Sequence, residues 1–148
     1  IAGDVADEIG GGQGAVPAEN IAGVALIADG RRQNGVGQNP GRKVGGVGAE
    51  IALQPVSGLV QPIVPGASMR GARPNGFGSL ADRTFQICAP NDSVCDAPPN
   101  VSNALERAQG LIAANGVHAQ YASNSGVIDG TTANQWVVGW AHQLIDGA

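Results

Sequence analysis

The feature that most constrains the fold is an almost uninterrupted apolar run at Ile21–Ala28. The run has the length of a β-strand rather than of a helix, and Asp29-Gly30 closes it. A strand without polar alternation is typical of a parallel sheet whose two faces are both covered. A second apolar stretch at Thr84–Cys88 predicts another strand. We therefore expect an α/β protein with a central parallel sheet flanked by helices.

The amino-terminal segment Ile1–Ile9 predicts a helix, because apolar residues recur at helical spacing and three glycines follow. The apolar residues are expected to face the core, and the acidic residues to form a solvated face. The inward set is Ala2, Val5, Ala6 and Ile9, and the outward set is Asp4, Asp7 and Glu8. Asp29, after the first strand, is expected to form a turn.

Two further helices are predicted near the carboxyl end. The first covers Val101–Ala114, with Ser102 as its candidate N-cap. The second runs from about Thr132 to Ile145, and Thr132 with Gln135 has the pattern of a capping box. The residues expected to face inward are Leu105, Ala108, Leu111 and Ile112 in the first helix, and Trp136, Val137, Trp140 and Leu144 in the second.

Residues 33–78 interrupt the alternation of strands and helices. Many glycines come first, and the apolar residues that follow are interrupted by Pro55, Pro62 and Pro65. Prolines at this density exclude a long helix or a central strand, so the segment is predicted to be a long irregular insertion. It is either a loop packed over the body of the protein or an apolar flap that faces a substrate.

Charge and composition exclude several classes of function. The net charge of −4, without a run of basic residues, argues against nucleic-acid binding. No uninterrupted apolar stretch is long enough for a membrane-spanning helix, so a transmembrane protein is not expected. With 2 cysteines and 2 histidines the chain lacks the ligand set of the usual metal sites, and neither a metal nor a cofactor is expected.

The two cysteines bracket a carboxylate in Cys88-Ala89-Pro90-Asn91-Asp92-Ser93-Val94-Cys95. This spacing does not match zinc or thioredoxin-type patterns, which favours a disulfide, although two free thiols of a cytosolic protein are the alternative. A disulfide would hold Asp92 on a stiff, exposed turn and would indicate secretion or the cell envelope. Asp92 alternatively only stabilises its own turn.

His118 is the candidate partner of that carboxylate. A carboxylate fixed after a strand can orient an imidazole for acid–base work, and Asp92 precedes His118 as in the chain order of α/β-hydrolases. The alternative interpretation is that His118 is simply a surface histidine. His142 falls in the last predicted helix and is expected to be solvated.

These segments together resemble the cutinase family, the cutinase-like serine esterases of mycobacteria and other actinobacteria. The resemblance rests on Ile21–Leu26, Ala81–Thr84, the pattern Cys88-x3-Asp92-x2-Cys95, and His118-Ala119-Gln120-Tyr121. It implies an α/β-hydrolase domain in which Cys88 and Cys95 are disulfide-bonded. It also implies that Asp92 and His118 are the acid and the base of a Ser-Asp-His triad.

The chain departs from the family at the nucleophile. No Gly-x-Ser-x-Gly occurs, and the nearest match, Gly66-Ala67-Ser68-Met69-Arg70, lacks the second glycine. The resemblance therefore implies that residues 1–148 are the carboxyl-terminal portion of a single domain, with its serine shortly before Ile1. The chain alone is then expected to be inactive, and its partner is the upstream half of the same domain.

Three functions are compatible with these residues. The first is a carboxylic ester hydrolase acting on lipid or other acyl esters. The second is a non-catalytic envelope or assembly component built on the hydrolase scaffold, whose apolar surface is covered by partner chains. The third is an acyltransferase that delivers the acyl group to an alcohol instead of water.

Overall fold

A computed structural model of the chain describes residues 1–113 and 116–147. Its strands are β1 (Val24–Ile27) and β2 (Thr84–Ile87). Its α-helices are α1 (Ala2–Gly10), α2 (Ala49–Ala52), α3 (Ser57–Val60), α4 (Ala104–Ile112) and α5 (Ala133–Asp146), and 3₁₀ turns cover Ala18–Asn20, Gln54–Val56 and Gly78–Arg83. No helix within these ranges combines the length and the apolar character needed to cross a membrane.

β1 and β2 form a two-stranded parallel sheet in which Val24 lies opposite Thr84. Because side chains alternate along a strand, Leu26 faces one side of the sheet and Phe85 the other. Ile9 of α1 packs on the Leu26 side, while the two tryptophans of α5 pack against the Phe85 ring. This parallel sheet with a helix on each face confirms the predicted α/β class. Both strands lie within the apolar runs that predicted them.

The helix α1 forms where it was predicted, but its faces are only partly as predicted. The burial of Ala6 and Ile9 is confirmed, whereas the prediction was wrong for Ala2, Val5 and Asp7. Asp7 is 3% exposed, and its carboxylate accepts a hydrogen bond from the backbone N–H of Phe77 at 2.8 Å. Gly10 lies directly against the carbonyl of Phe77, where no side chain fits. Polar and close backbone contacts therefore set the orientation of the helix together with the apolar packing of Ala6 and Ile9. The buried residues are Gly3, Ala6, Asp7, Ile9 and Gly10, whereas Ala2 and Val5 are exposed.

The insertion at residues 33–78 is packed over the body of the protein. Leu53, Val60 and Met69 are buried in one cluster with Ala108 of α4. The segment is irregular for most of its length, as predicted, but α2, α3 and one 3₁₀ turn add short helices. Each of these helices is four residues or shorter, which is the length that the closely spaced prolines permit. This packing favours the loop interpretation over that of a free flap.

The helix α4 is shorter than predicted, and its cap is a different residue. Asn103, with a left-handed backbone (φ 53°), stands at the N-cap in place of Ser102, and the predicted last residue, Ala114, lies outside the described residues. Of the predicted inward positions, Ala108 is buried, whereas Leu105 and Ile112 are 54% and 57% exposed. Leu111 is half-buried against the insertion and Ala97, so Ala108 and Leu111 form the packed side of α4.

The helix α5 begins with the predicted capping box. The Thr132 hydroxyl accepts a hydrogen bond from the Gln135 backbone N–H at 3.1 Å, and the Gln135 side chain accepts one from the Thr132 backbone N–H at 3.2 Å. Its predicted apolar stripe is half-buried, with Trp136 and Trp140 stacked and Phe85 against both rings. The tryptophans are thus packing residues, as the sequence predicted.

Candidate functional site

The candidate site is built on the loop that follows β2. Cys88 and Cys95 are joined by a disulfide, with an S–S distance of 2.01 Å, which confirms the predicted pairing. Closing a ring of this size contributes about 2.5 kcal/mol to stability on the loop-entropy model. Asp92 within the ring is fully buried at 0% exposure, so the prediction of an exposed turn was wrong.

The buried Asp92 carboxylate contacts the His118 imidazole. His118 Nδ1 lies 3.0 Å from Asp92 Oδ2 and 3.1 Å from Oδ1, so both oxygens share one ring nitrogen. An ionised carboxylate only accepts, so Nδ1 carries the proton and Nε2 has the lone pair. The His118 side chain is 32% exposed, which leaves the imidazole accessible from outside the loop. This arrangement can accept a proton at Nε2 and stabilise the resulting cation.

Tyr121 also belongs to this group, although the residue patterns did not predict a role for it. Its hydroxyl donates to Asp92 Oδ2 at 2.6 Å and accepts from the Ala89 backbone N–H at 2.9 Å. Burial raises the pKa of the Tyr121 phenol above its usual 10, and the adjacent Asp92 carboxylate raises it further, although the Ala89 N–H opposes the shift. The phenol therefore stays a donor to Asp92. The signal in the sequence was the His-x-x-Tyr spacing of residues 118–121.

Further hydrogen bonds fix the position of the Asp92 carboxylate. The Val94 backbone N–H donates to Asp92 Oδ1 at 2.8 Å. Asp96 accepts from the backbone N–H groups of Asn91 and Gly46 at 2.8 and 2.7 Å, which ties the loop to the insertion. The loop is thus held by a covalent bond and by partners distant in sequence. Such preorganisation is what an orienting carboxylate requires.

The structure does not bring the remaining candidate residues into this group. Ser68 is exposed on the insertion, and no serine in residues 1–113 and 116–147 hydrogen-bonds to His118. His142 is exposed on α5, as predicted. Over the same ranges, no three side chains of His, Cys, Asp and Glu converge in the manner of a metal site.

A separate ion-pair network lies beside β1 and was not predicted. Arg73 is bidentate on Asp29, and Arg31, Arg70 and Arg73 all contact Asp4. The Asp29 backbone carbonyl accepts a hydrogen bond from the Arg32 backbone N–H and closes the predicted turn. The Asp29 carboxylate, however, is an ion-pair partner of Arg73. Burial raises the pKa of Asp4, yet the bonds and charges of Arg70 and Arg73 outweigh it and lower that pKa from 3.8 to about 2. The acidic side of α1 is therefore a contact surface.

The amino end of α1 lies at the edge of the sheet where the strands end. Ile1 and Gly3 line a cavity together with Ala28 and Asp29, which directly follow β1. The carboxyl ends of parallel strands meet at one edge, so Asp92, which follows β2, belongs to the same edge. In α/β proteins this edge is where ligands bind and where catalytic residues collect.

No protein-family model matches the chain. Over 146 residues, or 99% of its length, the chain is 64% identical to a protein of Corynebacterium glutamicum named "Carboxylesterase Culp6 homolog". It spans 47% of that protein, about half its length. This similarity is consistent with the resemblance to cutinase-like esterases drawn from the sequence, and the chain is thus similar over nearly its whole length to a protein named as a carboxylesterase.

Proposed function

We propose that this chain supplies the acid and the base of a serine carboxylic ester hydrolase of the cutinase type. The observation that carries the proposal is the buried Asp92 carboxylate, held by a disulfide loop and shared between His118 Nδ1 and the Tyr121 hydroxyl. That arrangement is the base half of a Ser-His-Asp triad, with the imidazole in the tautomer that can take a proton. The similarity to a carboxylesterase supports the same chemistry.

In the proposed mechanism His118 acts on a serine hydroxyl. Nε2 takes the proton of the serine as its oxygen attacks the ester carbonyl, and later returns that proton to the leaving alcohol. Asp92 keeps the imidazole oriented and stabilises its cationic form. Water then attacks the acyl-enzyme with the same base, and the acid is released. Lipid or other acyl esters are the proposed substrates.

The serine is proposed to lie upstream of Ile1, in the other half of a single α/β-hydrolase domain. The position of α1 supports this, because its amino end points to the sheet edge that carries Asp92. A residue entering α1 would thus approach the same edge as the imidazole. The chain of residues 1–148 by itself is then inactive, and the upstream half is its partner.

The test uses a longer polypeptide that contains this chain and an upstream Gly-x-Ser-x-Gly segment. It should hydrolyse p-nitrophenyl butyrate and react covalently with a fluorophosphonate probe at that serine. Asp92→Asn should lower kcat by about 10⁴-fold, because the imidazole then loses its orienting charge. His118→Gln should lower turnover by a similar factor, whereas the matched control His142→Gln should leave it unchanged.

The outcomes separate the three functions. Full turnover in Asp92→Asn or His118→Gln would refute the assigned roles. A folded wild-type polypeptide that neither turns over esters nor reacts with the probe would instead support a non-catalytic scaffold. Addition of an alcohol acceptor distinguishes transfer from hydrolysis, since a transferase would give mainly the new ester.

We also propose that the protein works outside the cytoplasm, in the secreted fraction or the cell envelope. The support is the Cys88–Cys95 disulfide, because such bonds persist in oxidising compartments. Fractionation of the producing cells with an antibody against the protein tests this. Detection of the protein only in the cytoplasm, with both thiols free, would contradict it.

A further inference from the structure

A cavity of about 550 Å³ is bounded on one side by Cys88 of the disulfide loop. Its lining includes Arg32, Arg42, Lys43 and Gln86 but neither Asp92 nor His118. The volume is in the range of pockets that hold small organic ligands. Gln86 projects from β2 on the face shared with Leu26, so β2 contributes one side chain to the cavity wall.

The lining of this cavity is strongly biased toward positive charge. The chain has 8 basic and 12 acidic residues, yet three basic residues and no acidic residue line the cavity. Arg42 and Lys43 are exposed at its rim, and within the described part of the chain neither side chain is in an ion pair. No carboxylate of the described residues would therefore line the space that an anion occupies.

Arg32 adds a buried charge that is not in contact with any carboxylate of residues 1–113 and 116–147. Its side chain is 1% exposed, and its guanidinium donates only to uncharged oxygens, among them the carbonyls of Cys95 and Gly46. The other acceptors are the side-chain oxygens of Asn34 and Asn39. Burial lowers the pKa of the Arg32 guanidinium, and the charges of Asp96 and Asp29 oppose that shift without contacting it, so a bound anion would offset part of the remaining cost of burial.

Gln86 contributes a buried acceptor without a donor. The residue is 2% exposed, and its Nε2 donates to the carbonyl of Val36 at 2.6 Å. That bond fixes the orientation of the amide, because a carbonyl accepts only from the nitrogen. Gln86 Oε1 is left with no donor among the described residues. A buried acceptor of this kind needs an O–H or N–H group from elsewhere.

We propose that this cavity binds a small anion that also carries a hydroxyl group, in the manner of a phosphorylated polyol. The basic residues bind the anionic group, and the hydroxyl donates to Gln86 Oε1. The same chemistry is offered by a soluble polyol phosphate and by the headgroup of phosphatidylglycerol. The proposal is independent of ester hydrolysis, and its test measures binding alone.

The test is titration calorimetry of the protein with sn-glycerol 3-phosphate, inorganic phosphate and glycerol. Glycerol 3-phosphate should bind most tightly, phosphate more weakly, and glycerol undetectably, with affinity falling as salt is added. Arg42→Gln and Lys43→Gln should each weaken binding about fivefold, as expected for a partly exposed charge. Arg107→Gln removes one positive charge from a different cavity and is the matched control, with unchanged binding. Gln86→Met should reduce the affinity for glycerol 3-phosphate to that for phosphate.

A parallel assay with vesicles identifies the source of the ligand. Sedimentation with phosphatidylglycerol vesicles, but not with phosphatidylcholine, and loss of binding in Arg42→Gln and Lys43→Gln would assign a lipid headgroup. Both rim residues are exposed, so these variants should fold even if Gln86→Met does not. Absence of binding to both glycerol 3-phosphate and phosphatidylglycerol, or binding unchanged in both rim variants, would overturn the proposal.

Discussion

At the scale of single residues, the candidate site centres on Asp92, whose buried carboxylate accepts hydrogen bonds from the Tyr121 hydroxyl and the Val94 backbone N–H. The cysteine bracket located Asp92, and the structure places that carboxylate within 3.0 Å of His118 Nδ1. Asp7 shows the opposite outcome. Its place on α1 predicted solvent exposure, but its partner Phe77 lies 70 residues away in the chain. No pattern of neighbouring residues predicts such a contact.

Tyr121→Phe should lower kcat for p-nitrophenyl butyrate about tenfold in the longer, proposed active polypeptide, with little change in KM. The Tyr121 hydroxyl bonds to Asp92 and to the Ala89 backbone, so it acts on the imidazole through the Asp92 carboxylate. A hydrogen bond to a charged group is worth about 1.5–3 kcal/mol. Thr131→Val, which removes a hydroxyl bonded to Gln135, is the control and should retain full kcat. An unchanged kcat in Tyr121→Phe would show that the phenol does not position Asp92.

Asp4→Asn should destabilise the protein in a pH-dependent manner. Since the pKa of Asp4 falls from 3.8 to about 2 on folding, its contribution is complete above pH 3.8 and is lost as the pH falls toward 2. Urea unfolding should therefore show a gap between wild type and variant at neutral pH that closes across this window. Asp82→Asn, at a side chain 84% exposed, should show almost no gap. A gap that stays constant with pH would contradict the assignment.

At the scale of elements, apolar periodicity and capping residues predicted which helices exist better than they predicted where each helix begins and ends. α5 begins at the predicted capping box, because an N-cap is a local hydrogen-bond pattern written in adjacent residues. α4 begins two residues after Ser102, since its start is set by the left-handed Asn103. The short helices of the insertion were missed, because segments of four residues carry no periodicity to detect.

Thr132→Ala should lower the free energy of unfolding by about 1 kcal/mol, since the first turn of α5 loses its cap. Ser102→Ala removes a hydroxyl of similar size that caps no helix, and should stay within about 0.5 kcal/mol of wild type. Denaturant unfolding followed by circular dichroism measures both values. Equal losses in the two variants would show that the capping box adds nothing specific.

At the scale of the whole molecule, the fold depends on close contacts between distant segments. α1 rests on the backbone of residues 77–78, and the Phe85 ring joins β2 to α5. The two apolar runs predict the parallel pairing of β1 with β2, but they do not indicate which backbone groups of distant segments come into contact. These contacts determine where the amino end of α1 lies relative to Asp92.

Gly10→Ala should destabilise the protein by about 1–3 kcal/mol, because its methyl group would overlap the Phe77 carbonyl. Gly110→Ala is the matched control within α4, where an added Cβ meets no atom within 4 Å. That variant should gain about 0.5–1 kcal/mol from helix propensity. Thermal unfolding of both variants gives the comparison, and stabilisation by Gly10→Ala would contradict the described packing of α1.

The sequence by itself predicted the α/β class, the disulfide and the capping box, and it identified Asp92 and His118 as the candidate pair. Each of these depends on neighbouring residues or on the composition of a short run. Only the tertiary structure decided the burial of Asp92 and Asp7, the role of Tyr121 as a donor and the convergence of arginines on Asp4. These features arise where segments distant in the chain meet, because hydrogen bonds and charge contacts depend on distances in space, which residue order alone does not give.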